Sequence, residues 1–435
     1  MRLILEVIIY EMPKNLYFVD SIFLSSGEAG VGNYVNLICT DKTEGGYFPS
    51  YYVQATDEQM RLRGSEKVNE DGTERNIEEG DYVIYEPDRK DGYLFTDGSQ
   101  EQYAVEWARL GNTIREALTV EPELSRGDLT PREVKTLIDA EEVLSYHINV
   151  GHGNCSLILV KSAEDYILWM VDCSIIERGN SASSWYNHQS ELKACLDSIG
   201  RKLNTNTPHI ARFFLTHMHY DHYSGVNYLW NCHYIDDSTI YYINHYYECN
   251  SETMVTFLQS LKGKATIIEP ISSNSLNSGV RVLYPDKRIY RKDMKKANNA
   301  SAVYRFSVNG WSMVFPGDLE EEGFKDMAKS LKCSPWLHYS DFYAISHHGS
   351  HNGHPNIICQ GTRHHNKTIE CINYNLLRAV LMGRDGAYST MFDPYVVSCF
   401  NKNNKLVTTD MKRGKDDSLK YLTLDWHNGN VKYIF

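Results

Sequence analysis

No apolar run in this chain approaches the roughly eighteen residues that a membrane-crossing helix needs, so no membrane partner is expected. The opening Leu3-Ile4-Leu5-Glu6-Val7-Ile8-Ile9-Tyr10 is short, is interrupted by Glu6 and lacks a small-residue cleavage site. It reads as a first strand rather than a signal peptide. The ten cysteines are scattered, with no Cys-x-x-Cys pair, which argues against a zinc knuckle or a disulfide framework. Cys155 and Cys173 sit among apolar strand residues and are expected as small buried hydrophobes. A reducing, cytoplasmic setting is the expectation from both absences. There is no internal repeat and no low-complexity tract, so neither a solenoid nor a biased, unfolded segment is indicated.

What is present suits a soluble globular protein. Hydrophobic residues make up 42% and charged residues 23% of the 435, ordinary values for a chain long enough for two or three domains. The net charge of −12 is unevenly placed. Residues 1–140 carry 14 Lys and Arg against 27 Asp and Glu, whereas residues 141–435 carry 30 against 29. The acidity belongs to the first region, and the near-neutral remainder would not repel a polyanionic substrate.

The first region reads as β-rich, with strand-like runs at 3–10, 16–24, 34–39 and 82–85 between Gly, Asn and Asp turn signals. A helix is expected over about 101–118, opened by the capping-box spacing of Ser99 and Gln102. Residues 121–128 read as a linker. A second capping box, Thr130-Pro131-Arg132-Glu133, opens a short helix that runs into the next domain. The expected division is an acidic β-rich accessory domain over 1–140 and a larger domain over 141–435.

In the larger domain strands and helices alternate. Strands are expected at 147–150, 157–160, 166–171, 210–215, 240–243, 342–345, 377–382 and 419–434. Residues 303–308 and 311–315 form a strand pair turned at Asn309-Gly310. Helices are expected near 189–203, from Ser224, at 252–262 and at 319–332; the first puts Leu192, Cys195, Leu196, Ile199 and Leu203 on one side. Mixed sheets with helices outside them give an α/β layered sandwich.

The most telling stretch is Thr216-His217-Met218-His219-Tyr220-Asp221-His222, directly after the apolar run Ile210–Leu215. Four metal-capable side chains within six residues at a strand end are what a zinc or manganese centre needs, and a loop lets them converge. One cluster does not complete a two-ion site, but further candidates follow later strands. Val314-Phe315-Pro316-Gly317-Asp318 places a carboxylate after a strand and a Gly turn. Asp318 has two oxygens to bridge two cations, or it caps the helix that follows. Ser346-His347-His348-Gly349 offers a further ligand, and its second imidazole is a candidate substrate binder or proton donor. Asp172, ending the run Trp169-Met170-Val171, suits orienting a metal-bound His from behind. His245, after Ile240–Ile243, is a weaker candidate ligand, since a lone strand-end His is commonly structural. His351, His354, His364 and His365 are expected in loops, solvated or facing substrate.

Taken in order, these motifs resemble the metallo-β-lactamase superfamily. The resemblance is carried by His147-Ile148-Asn149-Val150-Gly151-His152-Gly153-Asn154-Cys155-Ser156, Val171-Asp172-Cys173 and the 216–222 cluster. Asn298-Asn299-Ala300-Ser301, Phe315–Leu319, Ser346–Ser350, Ala379–Arg384 and Thr408-Thr409-Asp410 are similar to the branch typified by the hydrolase domain of bacterial competence (DNA-uptake) channel proteins. The resemblance spans about 143–435 and leaves 1–140 uncovered. It implies an αββα sandwich with one or two divalent ions at one edge of the sheets. It also implies His217, His219, Asp221, His222, Asp318 and one of His347 or His348 as metal-site residues. His152 stands where Gln is common in that branch, an extra group for the site.

The expected activity is phosphodiester hydrolysis by a metal-activated water, with Asp221 and Asp318 holding the water and His347 or His348 assisting the leaving oxygen. Nucleic acid or a nucleotide is the substrate implied by the resemblance. Residues 361–435 hold 11 Lys and Arg against 7 Asp and Glu, a mild excess that would flank an anionic strand or simply be solvated. Two alternatives stand beside this reading: a metal-dependent ester, lactone or thioester hydrolase, and a non-catalytic module that binds a protein partner through residues 1–140.

Overall fold

A computed structural model describes residues 16–23, 33–39, 50–65, 68–69, 72–78, 81–87, 91–99, 129–178, 185–243, 261, 264–270, 279–285, 297–329, 340–354, 362–364, 367–369, 376–385, 391–401, 404–412 and 418–435. The expected strand at 3–10, the helix over 101–118, the linker at 121–128, all but one residue of the helix at 252–262, and His245 lie outside the described residues. The chain divides into two compact units near residue 114.

The first unit holds strands β1 (Leu16–Phe23), β2 (Asn33–Cys39), β3 (Ser50–Ala55), β4 (Leu62–Arg63), β5 (Tyr82–Tyr85) and β6 (Phe95–Asp97). They form one sheet in the order β3-β2-β1-β5-β6-β4. Val19, Val35, Leu37, Leu62, Val83 and Phe95 are fully buried in its core.

The second unit contains strands β7 (Glu142–Ile148), β8 (Cys155–Lys161), β9 (Tyr166–Cys173), β10 (Ile176–Arg178), β11 (Trp185–Asn187), β12 (Arg212–Phe214), β13 (Ile240–Tyr242), β14 (Thr266–Ile268), β15 (Val280–Tyr284), β16 (Val303–Val308), β17 (Trp311–Phe315), β18 (Phe342–Ala344), β19 (Thr362–His364), β20 (Lys367–Ile369), β21 (Arg378–Leu381), β22 (Leu406–Thr408), β23 (Tyr421–Asp425) and β24 (Val431–Ile434). Two mixed sheets result, ordered β14-β13-β12-β9-β8-β7-β23-β24 and β15-β16-β17-β18-β21-β22.

The sheets pack face to face. Trp169 and Phe214 of the first meet Phe306 of the second at ring separations of 5.5 and 5.0 Å. Each such side chain contributes on the order of 2–3 kcal/mol by leaving water. The helix Gln189–Leu203 covers the outer face of the first sheet against β7. Its stripe Leu192, Cys195, Leu196 and Ile199 is fully buried, and left-handed Asn204 ends it. The helix Glu321–Lys329 buries Phe324 and Met327 with the second sheet's outer residues. The architecture is an α/β sandwich, as expected.

In each sheet the parallel strands deliver their carboxyl ends to one side. β9, β12 and β13 run parallel in the first, and β17, β18 and β21 in the second. Loops leaving such ends are where open α/β sheets gather ligands. Asp172, the 216–222 cluster, Asp318 and His347-His348 all leave from them. Among the described residues no helix is long and apolar enough to cross a membrane.

Candidate metal centre

Close approach of two loops builds this site, and a glycine permits it. Gly317 has φ +59, and a Cβ there would lie 2.6 Å from the Thr216 side chain. Only glycine lets the loop after β17 press against the loop after β12. His347 and His348 follow β18 with φ 48 and 51, a left-handed conformation that costs non-glycine residues roughly 1–2 kcal/mol each. The turn is held by His347 N–H donating to Gly317 O at 3.1 Å and by Ser346 Oγ donating to Leu319 O at 2.8 Å.

The result is a buried knot of carboxylates and imidazoles. One ligand atom from each of Asp221, His222, Asp318 and His348 lies within 4.8 Å of all the others. Asp318 Oδ2 is 3.3 Å from His222 Nε2 and 3.4 Å from His348 Nε2. Asp221 Oδ2 is 3.7 Å from His348 Nε2 and 4.0 Å from His222 Nε2. Ligand atoms about 2.0–2.2 Å from one shared ion sit about 3–3.5 Å apart, so these separations have the right scale. His222 Nε2 and His348 Nε2 are buried and make no hydrogen bond. Buried polar atoms are normally satisfied, and two imidazole nitrogens converging on two carboxylates fit a divalent cation.

The charges respond to this crowding. Burial alone would raise Asp318 and Asp221, but the neighbouring imidazoles hold both well below the usual carboxylate range. Burial disfavours the charged ring of His348, yet Asp318 and Asp221 push it up to about 9. His222 is likewise raised, against burial, by Asp318, Asp172 and Asp221. Two carboxylates here demand positive charge.

The other expected residues surround this group. Asp172 accepts from His222 Nδ1 at 2.8 Å and from the Thr216 N–H and hydroxyl at 2.8 and 2.9 Å. His217 and His219 are buried side by side, Nε2 to Nδ1 2.9 Å apart, with the His217 ring 4.1 Å from that of His222. His347 lies one step out, its Nε2 4.0 Å from Asp318 and its Nδ1 3.7 Å from Glu320. His152 Nε2 meets Asp221 Oδ2 at 3.0 Å, with its ring 4.5 Å from that of His348.

Three sequence expectations are revised. Asp318 does not cap a helix, because the helix starts only at Glu321 and the carboxylate turns to the imidazoles instead. His354 is not solvated: it is 2% exposed and packs edge-on to Phe400 at 5.2 Å. The helix expected from Ser224 starts earlier and in two pieces, Tyr220–Tyr223 and Val226–Asn231, which carries Asp221 and His222 on a helical turn. Residues to which the sequence reading gave no role in the site also belong here. Asn154 Nδ2 reaches Asp318 Oδ1 at 3.5 Å, and Glu320 accepts from Asn298 and Asn352 at 3.0 and 2.9 Å. Amides are not metal-type ligands, so a search for His and Asp clusters does not find them.

No family model and no curated protein matches the chain. Among solved structures it is similar to the metallo-β-lactamase fold protein YhfI from Bacillus subtilis, at 10% identity and TM-score 0.34, covering 67% of this chain and 100% of that one. It is similar to a mutant of the β-hydroxylase CmlA at 14% identity and TM-score 0.34, covering 69% and 60%. A diphosphatase from the PhnP family matches at 8% identity and TM-score 0.28, covering 65% and 98%.

Proposed function

We propose that this chain is a metal-dependent hydrolase and that its substrate is a phosphodiester of nucleic acid or nucleotide type. The observation that carries the reading is the convergence of two carboxylates and two buried imidazole nitrogens without hydrogen bonds on one small volume. Asp221, His222, Asp318 and His348 would hold the ion, with His217 and His219, adjacent to His222, as the residues that would hold a second. Zinc and manganese both suit such a mixed imidazole and carboxylate set. A divalent ion supplies Lewis acidity there, bringing the pKa of water towards neutrality and offsetting charge on phosphoryl oxygens.

The chain's own residues do the rest. Asp172 fixes the His222 ring so that Nε2 faces the two carboxylates. His152 Nε2 holds Asp221 Oδ2 at 3.0 Å. His347, buried beside Asp318 and Glu320, is pushed down to about 4 by burial, so it stays a neutral ring whose one N–H can donate a hydrogen bond to a substrate oxygen. The motif series similar to the DNA-uptake branch favours a nucleic-acid or nucleotide substrate over an acyl one.

The test is metal analysis of protein purified without chelators, followed by parallel assays on bis(p-nitrophenyl) phosphate, a p-nitrophenyl acyl ester, a lactone and a thioester. Bound zinc or manganese near one or two per chain, with diester hydrolysis lost in Asp318→Ala, is expected. Acyl hydrolysis alone would replace the diester reading with the ester one. Protein that binds no divalent ion would remove both.

A further inference from the structure

Beside the metal cluster lies a second charged group that this function leaves unused. Glu177, on β10, is buried at 3% exposure. Its carboxylate meets Arg384 Nη2 at 3.0 Å and His188 Nε2 at 3.1 Å. It also presses on the loop that carries His152: a Cβ at Gly151 would lie 1.9 Å from Glu177 Oε2. On the other side, Arg384 directly follows Gly383, whose Cβ position is 3.2 Å from the His348 Cβ. The arginine is thus one residue from the His348 wall, and its anchor leans on the neighbour of His152. Its side chain remains 31% exposed, with the guanidinium 5.9 Å from the centre of the half-exposed Tyr186 ring.

The Glu177 carboxylate stands 3.0 Å from one terminal nitrogen of a partly exposed guanidinium, an ion pair in which Oε1 makes no hydrogen bond. Arginine has five N–H donors in a fixed fork, and only Nη2 is engaged by Glu177 among the described residues. The remaining donors match the oxygens of a phosphate, in one- or two-point contact. His188 lies against the same carboxylate and against Glu191, so the two cations are balanced by two carboxylates, and the contact offered by Arg384 depends on the direction of its donors rather than on net charge.

We infer that Arg384, positioned by Glu177, forms an anion subsite that binds a second, non-reacting phosphate of the substrate beside the scissile one. The inference rests on the phosphodiesterase reading above and narrows it to substrates with adjacent phosphates, such as oligonucleotide ends, over isolated diesters.

The experiment compares binding of the dinucleotide pTpT, which has a terminal phosphate, with TpT, which lacks it. Calorimetry is run on the full metal-loaded chain, with the internucleotide linkage of both ligands replaced by a non-hydrolysable methylphosphonate so that no turnover occurs. Wild-type protein is expected to prefer pTpT by about tenfold or more, the scale of one charge-assisted contact. Arg384→Ala should abolish the preference, Arg384→Lys should restore part of it, and Glu177→Gln should weaken it. Circular dichroism confirms folding of each variant. An equal affinity for both ligands in the wild type, or a preference that survives Arg384→Ala, overturns the subsite. Hydrolysis of bis(p-nitrophenyl) phosphate by the metal-loaded wild-type protein is read separately. Its absence in the wild type would remove the phosphodiesterase reading without touching the binding result.

Discussion

Asp172 and His222 are joined by a 2.8 Å hydrogen bond from Nδ1 to Oδ2, wholly buried, between the end of β9 and the helical turn Tyr220–Tyr223. The contact settles the ring's direction. With Nδ1 occupied, Nε2 projects at Asp318, 3.3 Å away. Asp172 itself is held in a left-handed conformation at φ 53, and its oxygens also take the Thr216 N–H and hydroxyl, so the carboxylate has little freedom to swing.

Removing that support should loosen the ion without removing a ligand. Asp172→Asn is expected to lower divalent-metal affinity by about 10–100-fold, the usual scale for groups that orient a coordinating His. Competition with a chromogenic chelator measures it. An affinity equal to wild type would show that His222 needs no orientation from behind.

A different buried pair fixes the short helix Pro131–Ile138 to the first sheet of the sandwich. Arg212, 1% exposed at its side chain, meets both oxygens of Glu133 at 2.7 and 2.8 Å. Glu133 also completes the capping box by accepting from the Thr130 N–H. Burial would raise Glu133, but the Arg212 hydrogen bond and charge hold it below its ordinary value of 4.5. Its folded value being the lower one, the stabilisation is fully present above about 4.5 and is lost as pH falls through the folded value. Glu133→Gln leaves a buried guanidinium unneutralised and should cost about 3 kcal/mol in urea unfolding at neutral pH. The variant should also show a shallower loss of stability in acid. A cost under about 1 kcal/mol would mean that Arg212 finds water or another partner.

The sandwich was legible because its strands obey local rules. The hairpin of β16 and β17 lies at 303–308 and 311–315, with Asn309 and Gly310 both at positive φ, as an Asn-Gly turn requires. The helix over 189–203 followed from one apolar stripe. Strand ends were less legible: β7 starts five residues before the apolar stretch at 147, because Glu142 and Ser145 extend the pairing with β8. The site was legible where chemistry is concentrated in rare residue types, as in His217 to His222. It was not legible where distance in sequence hides contact. Nothing local tells Glu133 from any capping-box glutamate, yet it neutralises Arg212, 79 positions away. Glu177 and Arg384 are still further apart in the chain, and neither stands in a recognisable motif with the other. The choice between His347 and His348 likewise needed the turn's geometry, which carries His348 into the four-residue cluster and leaves His347 beside Glu320.

Loading the site should release protons, and the sign follows from the imidazoles. A coordinating nitrogen must be unprotonated. In the metal-free protein His348 is pushed up to about 9, against burial, by Asp318 and Asp221, and His222 is raised by the same carboxylates with Asp172. His348 therefore carries a proton at pH 7.5, and His222 shifts in the same direction. The folded value of His348 exceeds the ordinary 6.5, so the stability that ring lends the metal-free protein is complete below about 6.5 and drains away as pH rises through about 9. Metal binding should eject the proton at His348, tighten as pH rises across that window, and replace the stability the imidazolium supplied. Calorimetric titration of zinc or manganese in buffers of different ionisation enthalpy counts the protons directly. Proton release on metal binding is expected at pH 7.5, less of it at pH 9.5, and addition of EDTA should lower the melting temperature more at pH 9.5 than at pH 6.5. Binding with no proton release would mean that the two imidazoles are already neutral, and that Asp221 and Asp318 are compensated by some other charge.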